Sequence, residues 1–243
     1  MAVHSRTDES AGNNDMPDFS GKTVAFVHAK GTSDRVPGKN MRRLNGKPLI
    51  HHALTNALAA NKVDHVIIDS DSPDILDYGA ALGAVPVKRP ATLATNAATG
   101  DDLAAYQASV AAQSDICLQV IPTSPFVTPQ TIDRGITLIE DSDADSVVGV
   151  TSDVFYFWDQ EGPAYYRSDG TIPNSIDLPP SIYETTGLYI NRTAAVLKSG
   201  RRLNPDNARF LMLSRLEAVD INTEEDFALA DIISRGMESM TGS

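Results

Sequence analysis

One cysteine, no long apolar run and a shortage of positive charge set the first limits on this chain of 243 residues. The lone Cys117 excludes an intrachain disulfide, and its place inside an apolar run marks a small core residue that suits a reducing cytoplasm. No segment approaches the roughly 20 apolar residues that span a bilayer, and the first residues lack the apolar stretch of a secretory signal. A soluble, intracellular protein is expected. Against 32 Asp and Glu stand 20 Lys and Arg, a net charge of −12. That balance argues against nucleic-acid or anionic-membrane partners, which need broad positive surfaces. Spaced His and Cys partners are also missing, so His51 and His52 read as helix surface or core edge rather than metal ligands. Residues 1–20 are poor in large apolar side chains and are expected to form a flexible tail, so His4 takes no ligand role. Internal repeats and low-complexity tracts are absent.

What remains is 42% hydrophobic, enough for one large core, and residues 21–243 read as a single domain. The scarce positive charge is concentrated. Six of the 20 Lys and Arg fall between Lys30 and Lys47, with Asp34 the only acid among them. This cluster follows an apolar run, Thr23 to Ala29, that suits a buried strand. Open α/β sheets bind ligands at the C-terminal ends of their strands, where this loop would lie. Gly31 and Gly38 let backbone N–H groups face phosphate oxygens, and Pro37 stiffens the loop. The segment reads as a triphosphate cradle; the alternative is a solvated basic loop.

Helical spacing over Pro48 to Asn61, a strand at His65 to Asp69 and a helix at Pro73 to Leu82 make one βαβα turn of a wound sheet. The alternation continues with strands at Val85 to Val87, Ile116 to Ile121 and Ser146 to Val150, and helices at Asp101 to Gln113 and Pro129 to Glu140. Such a pattern predicts a mainly parallel sheet with helices on both faces. Strands are expected at Gly187 to Asn191, Arg209 to Leu213 and Glu217 to Ile221, and a capped terminal helix at Thr223 to Gly236. Between them, residues 152–183 mix aromatics with Gly, Pro and Asp, which suits an antiparallel excursion, a lid or a dimerisation insertion.

In order along the chain stand PGKN (Pro37 to Asn40), NGKPL, Ser70-Asp71 after the second strand, RPATLAT (from Arg89), PTSP (from Pro122) and VDINTEED (from Val219). This succession resembles the CMP-sialic acid synthetase (acylneuraminate cytidylyltransferase) family and, more distantly, the CMP-Kdo synthetases, from about Thr23 to Gly236. The resemblance implies a Rossmann-like, three-layer α/β nucleotide-diphospho-sugar transferase fold. It implies transfer of CMP from CTP to an acidic, nonulosonate-type sugar with release of pyrophosphate. Mg²⁺ and a homodimer are implied too. Two other readings stay open: a CMP-phosphonate synthetase or other NTP-dependent nucleotidyltransferase, and a noncatalytic nucleotide-binding homologue.

By the same resemblance, Lys30, Arg35 and Lys39 are the catalytic cations on the triphosphate. Lys30 stands where the family usually has Arg, and Arg35 matches the SxRxPGK form of CMP-Kdo synthetases. Ala29, Gly31, Asn40, Arg89, Ala98, Thr99 and Gly100 are expected to bind the nucleotide, with Asn40 on the cytidine; a surface ion pair is the alternative for Arg89. Asp71 and Asp220 are the expected metal ligands, with Asn222, where the family has Asp, either a third ligand or part of the last helix's cap. Gln119, Thr123, Ser124, Tyr183 and Thr186 are candidates for acceptor binding. Ile121 replaces the family's Gln before PTSP, while Tyr165, Tyr166, Arg167 and Glu184 are further pocket or packing candidates.

Overall fold

The computed structural model describes residues 16–164 and 172–241. His4, Tyr165, Tyr166 and Arg167 lie outside the described residues. Seven strands form the central sheet: β1 Thr23–Ala29, β2 His65–Ser70, β3 Val85–Lys88, β4 Ile116–Val120, β5 Ser146–Asp153, β6 Ser181–Arg192 and β7 Ala208–Met212. Their spatial order is β3-β2-β1-β4-β6-β5-β7. Every neighbouring pair is parallel except those of β6, which runs antiparallel to both β4 and β5.

Side-chain alternation along β1 explains the three layers. Ala25, Val27 and Ala29 face one helical layer, where Ile50 and Leu54 of α1 (Leu49–Ala59), Ile75 of α2 (Pro73–Ala81) and Ile132 and Ile136 of α4 (Pro129–Glu140) complete the larger core cluster. Val24 and Phe26 face the other, packing with Ala104 and Ala108 of α3 (Gly100–Val110) and Val196 of α5 (Thr193–Ser199). A third cluster joins Val36 and Leu44 to Ile221 and to Phe227 and Ala230 of α6 (Glu224–Thr241), and so ties the chain's end to the loop after β1.

Several expectations shift. Phe19, expected within a flexible tail, is buried, and its ring meets His65 edge-on at 5.3 Å. Pro48 flanks α1 as its N-cap rather than entering its first turn. Residues 217–221 form a turn and an extended segment, not a strand: the apolar positions there are buried under α6 without pairing to the sheet. Within 152–183, β5 runs on to Asp153 and a small hairpin pairs Trp158–Asp159 with Gly162–Pro163. Among the described residues no helix is long and apolar enough to cross a membrane.

Candidate active site

Strands β1 and β4 end side by side and send residues 30–42 and 121–126 over the same edge of the sheet. Between these segments lies a cleft of about 440 Å³. Lys30, Arg35 and Lys39 line it from one side, Ile121 and Thr123 from the other, and His28 from the end of β1. The three cations expected to meet a triphosphate are therefore brought together.

Local geometry fixes the loop. Gly38 sits at φ 63°, in the left-handed region that favours glycine, and opens the single 3-10 turn Lys39–Met41. That turn places Asn40, whose Nδ2 donates to the Lys30 carbonyl at 2.8 Å and holds the two ends of the loop together. Gly31 donates its N–H to Asp71 Oδ1 at 2.8 Å, and a Cβ at this position would stand 2.9 Å from Ser72 Cβ. Asp71 thus fastens the loop to the end of β2. Ala29 is buried at the end of β1.

Lys39 is only 9% exposed, and its Nζ donates to the Ile221 carbonyl at 2.9 Å. Burial, and then the neighbouring Arg35, hold its pKa below the ordinary lysine value, while Asp220 and Asp226 pull the other way. The loop's charge is thereby linked to the segment before α6. Asp220 Oδ2 accepts from Asn222 Nδ2 at 2.5 Å and from Thr186 Oγ1 at 3.3 Å, but its Oδ1 is buried without a hydrogen-bond partner. An unpartnered buried carboxylate oxygen suits a cation. Among the described residues no three His, Cys, Asp or Glu side chains gather as a metal site. The side chain of Asn222 does not cap the last helix. Thr223 and Asp226 do that, with Thr223 Oγ1 accepting from Asp226 N at 3.2 Å and Asp226 Oδ2 accepting from Thr223 N at 2.8 Å.

Arg89 is not at the surface. Its Nε donates to Asp69 Oδ1 at 2.9 Å, and the two side chains are 3% and 0% exposed. The second oxygen of Asp69 accepts from Gln107, whose own Oε1 accepts from Gln119 at 2.7 Å. Gln119 is therefore part of a buried polar row on the α3 side of the sheet, away from the cleft lining that Ile121 provides. His28 pairs across to Asp69 in the β1–β2 register, and its Nδ1 is buried without a partner. Burial, and then the Arg89 charge, push its pKa down to about 4, so the ring is neutral at pH 7.

Ala98, Thr99 and Gly100 lead into α3, where Thr99 and Asp102 close a reciprocal capping box. Thr123, Ser124 and Thr186 converge beside Asp220. Ile221 N donates to the Thr123 carbonyl, Ser124 packs against Gly187 so closely that a Cβ there would stand 2.6 Å from Ser124 Cβ, and Thr186 adopts φ 58°. Tyr183 stands elsewhere: it lines a second cleft of about 360 Å³ with Val148 and Phe210, and its ring lies 6.0 Å from that of Phe155. Glu184 accepts from the Tyr189 hydroxyl at 2.8 Å.

Two residues of the cleft went unnoticed in the sequence. His28 lay inside an apolar strand. Asn96, which also lines the cleft, joins the loop after β1 by accepting from Lys30 and donating to Asp34 at 2.5 Å. An Asn in TLATNAATG carried no periodic or charge signal.

The cytidylyltransferase family matches residues 24–199. The chain is 29% identical over 229 residues to the CMP-N,N'-diacetyllegionaminic acid synthase of Legionella pneumophila, covering 86% of this chain and 95% of that one. It is 26% identical over 188 residues to a 3-deoxy-manno-octulosonate cytidylyltransferase of Chlamydia trachomatis, covering 72% and 73%. The solved structure of CMP:2-keto-3-deoxy-manno-octonic acid synthetase complexed with CTP superposes with a TM-score of 0.66 at 17% identity, covering 89% of this chain and 100% of that one, and shares the fold. With the basic loop, the buried acid and the strand order in place, this chain belongs to the cytidylyltransferase family.

Proposed function

We propose that this protein transfers CMP from CTP to an acidic sugar of the nonulosonate class, with Mg²⁺, and releases pyrophosphate. The observation that carries the reading is the convergence of Lys30, Arg35 and Lys39 on one cleft, with Asp220 near enough to act on the Lys39 charge and holding one carboxylate oxygen without a partner. Both relatives are named for CMP-linked or cytidylyl chemistry on sugar acids, which supports the choice of acceptor.

In this reaction an acceptor oxygen forms a bond to the α-phosphorus, the bond from that phosphorus to the bridging oxygen breaks, and the acceptor hydroxyl loses its proton. No covalent enzyme intermediate is needed, so the protein's task is to position two anions and offset their charge. Arg35 offers an exposed cation and Lys30 a half-buried one to the triphosphate, and Lys39 offers a partly desolvated one, which acts more strongly. Asn40 and Gly31 hold the loop in the shape that presents these groups. Asp220, assisted by Asn222 and with Asp71 as the further expected ligand, would hold Mg²⁺, which would supply further charge neutralisation on the phosphate oxygens. The acceptor sits against Thr123, Ser124 and Thr186.

A homodimer and a cytoplasmic setting belong to the same proposal. Trp158, Ile176, Phe210 and Met212 are 67%, 89%, 60% and 48% exposed, an amount of uncovered apolar surface that a second copy would bury. The single thiol, Cys117, is buried and its pKa is pushed up to about 11, an inert group suited to a reducing compartment.

The decisive test is pyrophosphate release with Mg²⁺ and each of the four NTPs, against N-acetylneuraminate, other nonulosonates, Kdo and small phosphonates. Release specific to CTP and a sugar acid is expected. Release with a phosphonate alone would replace the acceptor class, and binding of CTP without release from any pair would favour a noncatalytic homologue.

A further inference from the structure

Arg202 follows α5, and its backbone N–H donates to Asp101 Oδ1 at 3.0 Å, which fixes this segment to the first turn of α3. Its guanidinium carbon stands 4.2 Å over the ring of Tyr189. It also lies against Gly100, where a Cβ would come within 2.5 Å of Arg202 Cζ. Any side chain at position 100 would evict it. Tyr189 pairs with Gln119 in the β6–β4 register, so the guanidinium sits over the α3 face of the sheet, the face that also carries His28 and Asp69.

No ion pair among the described residues includes Arg202. The acids beside it are occupied: Asp101 takes its backbone N–H, and Glu184 takes the Tyr189 hydroxyl. A partly buried arginine without a carboxylate is anomalous in a chain of net charge −12. The face of Tyr189 offsets part of the cation's lost hydration. It leaves the N–H edge of the fork, which matches a planar carboxylate. The α3 N-terminus, with Gly100 as its first residue, adds partial positive charge of the same sign. Meanwhile the triphosphate has its own cations, Lys30, Arg35 and Lys39, on the loop after β1. The Arg202 charge reaches His28, which lines the same cleft from the end of β1, and of the two anions that would react there the loop serves only one.

We infer that Arg202, stacked on Tyr189 and seated against Gly100, binds the carboxylate of the acceptor and sets the requirement for an acid. The inference rests on the proposed acidic-sugar acceptor. Anchoring the carboxylate would fix the orientation of the sugar relative to the α-phosphorus.

The test compares wild type with Arg202→Gln, which keeps a planar group over Tyr189, and Arg202→Lys, which keeps the charge. The probes are CTP with the sugar acid that wild type turns over best, and with the methyl ester of that acid. For Arg202→Gln the acceptor KM is expected to rise about 100-fold and the preference for acid over ester to collapse. The KM for CTP should stay within about twofold and the melting temperature near wild type; Arg202→Lys should recover part of the loss. An unchanged acid preference in an active, folded Arg202→Gln protein overturns the assignment while leaving the acidic-sugar reading intact. Equal rises in the KM values for CTP and acceptor overturn it too, because they mark a structural role. A wild type that turns over no sugar acid overturns both readings together.

Discussion

Asp69 and Arg89 lie on and just beyond neighbouring strands, with Arg89 Nε 2.9 Å from Asp69 Oδ1 and neither side chain more than 3% exposed. The pair is closed by Gln107 on the other carboxylate oxygen and by the Asp69 carbonyl, which accepts from Arg89 Nη2 at 3.0 Å. It forms the floor on which the end of β1 rests, so its loss should be felt in stability before it is felt in chemistry.

Asp69→Asn leaves the guanidinium buried without its counter-charge and should cost about 3–5 kcal/mol in urea unfolding. Replacing both partners with apolar residues, Asp69→Leu with Arg89→Met, should cost much less than the sum of the single changes. A double-mutant cycle with no coupling between the positions would show that the pair is not a unit.

Lys39→Met removes a partly desolvated cation from the cleft and should lower kcat/KM for CTP by about 100-fold or more. Because Lys39 Nζ also donates to the Ile221 carbonyl, a modest drop in melting temperature should accompany it. Near-normal kinetics in a folded variant would take Lys39 out of the site.

Asp220→Asn should raise the Mg²⁺ concentration for half-maximal rate and abolish any rise in melting temperature caused by Mg²⁺ with CTP. Asn222→Asp should do the opposite. It places a second carboxylate beside Asp220, where Asn222 Nδ2 now donates, so the metal-free protein should be less stable and the metal-bound one more so. Magnesium titration followed by both melting temperature and rate checks the pair; a requirement unmoved in both variants would place the ion elsewhere.

His28 should make the protein sensitive to mild acid. Its folded pKa of about 4 lies below the ordinary value of 6.5, so the unfolded chain takes up a proton at a pH where the folded chain does not. The stability contributed by the neutral ring is fully present above pH 6.5 and is lost as pH falls from there toward 4. At roughly 1.4 kcal/mol per pH unit, the loss from this group is at most about 3.5 kcal/mol. His28→Gln should flatten the fall in melting temperature between pH 7 and pH 5; parallel curves for the two proteins would contradict the assignment.

Features that depend on neighbours in the chain were readable in the sequence. β1 showed itself as an apolar run followed by a glycine, and α4 as a run from Pro129 to Glu140. The basic loop was legible because its charge is local. Features that depend on distant contacts were not. Residues 217–221 alternate like a strand because Ile221 and its neighbours are buried under Phe227 and Ala230, not because they pair with a sheet. Arg89 was recognised by motif, yet its partner is a buried acid on β2. Arg202 acquires meaning only when a seven-residue helix and the loop after it bring it to Tyr189 and Gly100.

The reversed direction of β6 divides the cleft by ancestry along the chain. A parallel strand would leave the sheet at this edge; β6 enters there, so the chain reaches Thr186 and Gly187 soon after the segment 154–180. The basic wall is instead the exit from β1. Insertions or deletions in 154–180 would therefore reach the proposed acceptor wall first, through the bulge between Glu184 and Tyr189, while the loop from Lys30 to Lys39 keeps its own anchors at Asp71 and Ile221. On the proposed reaction, such an arrangement would give the two substrates separate evolutionary freedom: a lineage could change its acceptor by editing one excursion and leave its nucleotide untouched.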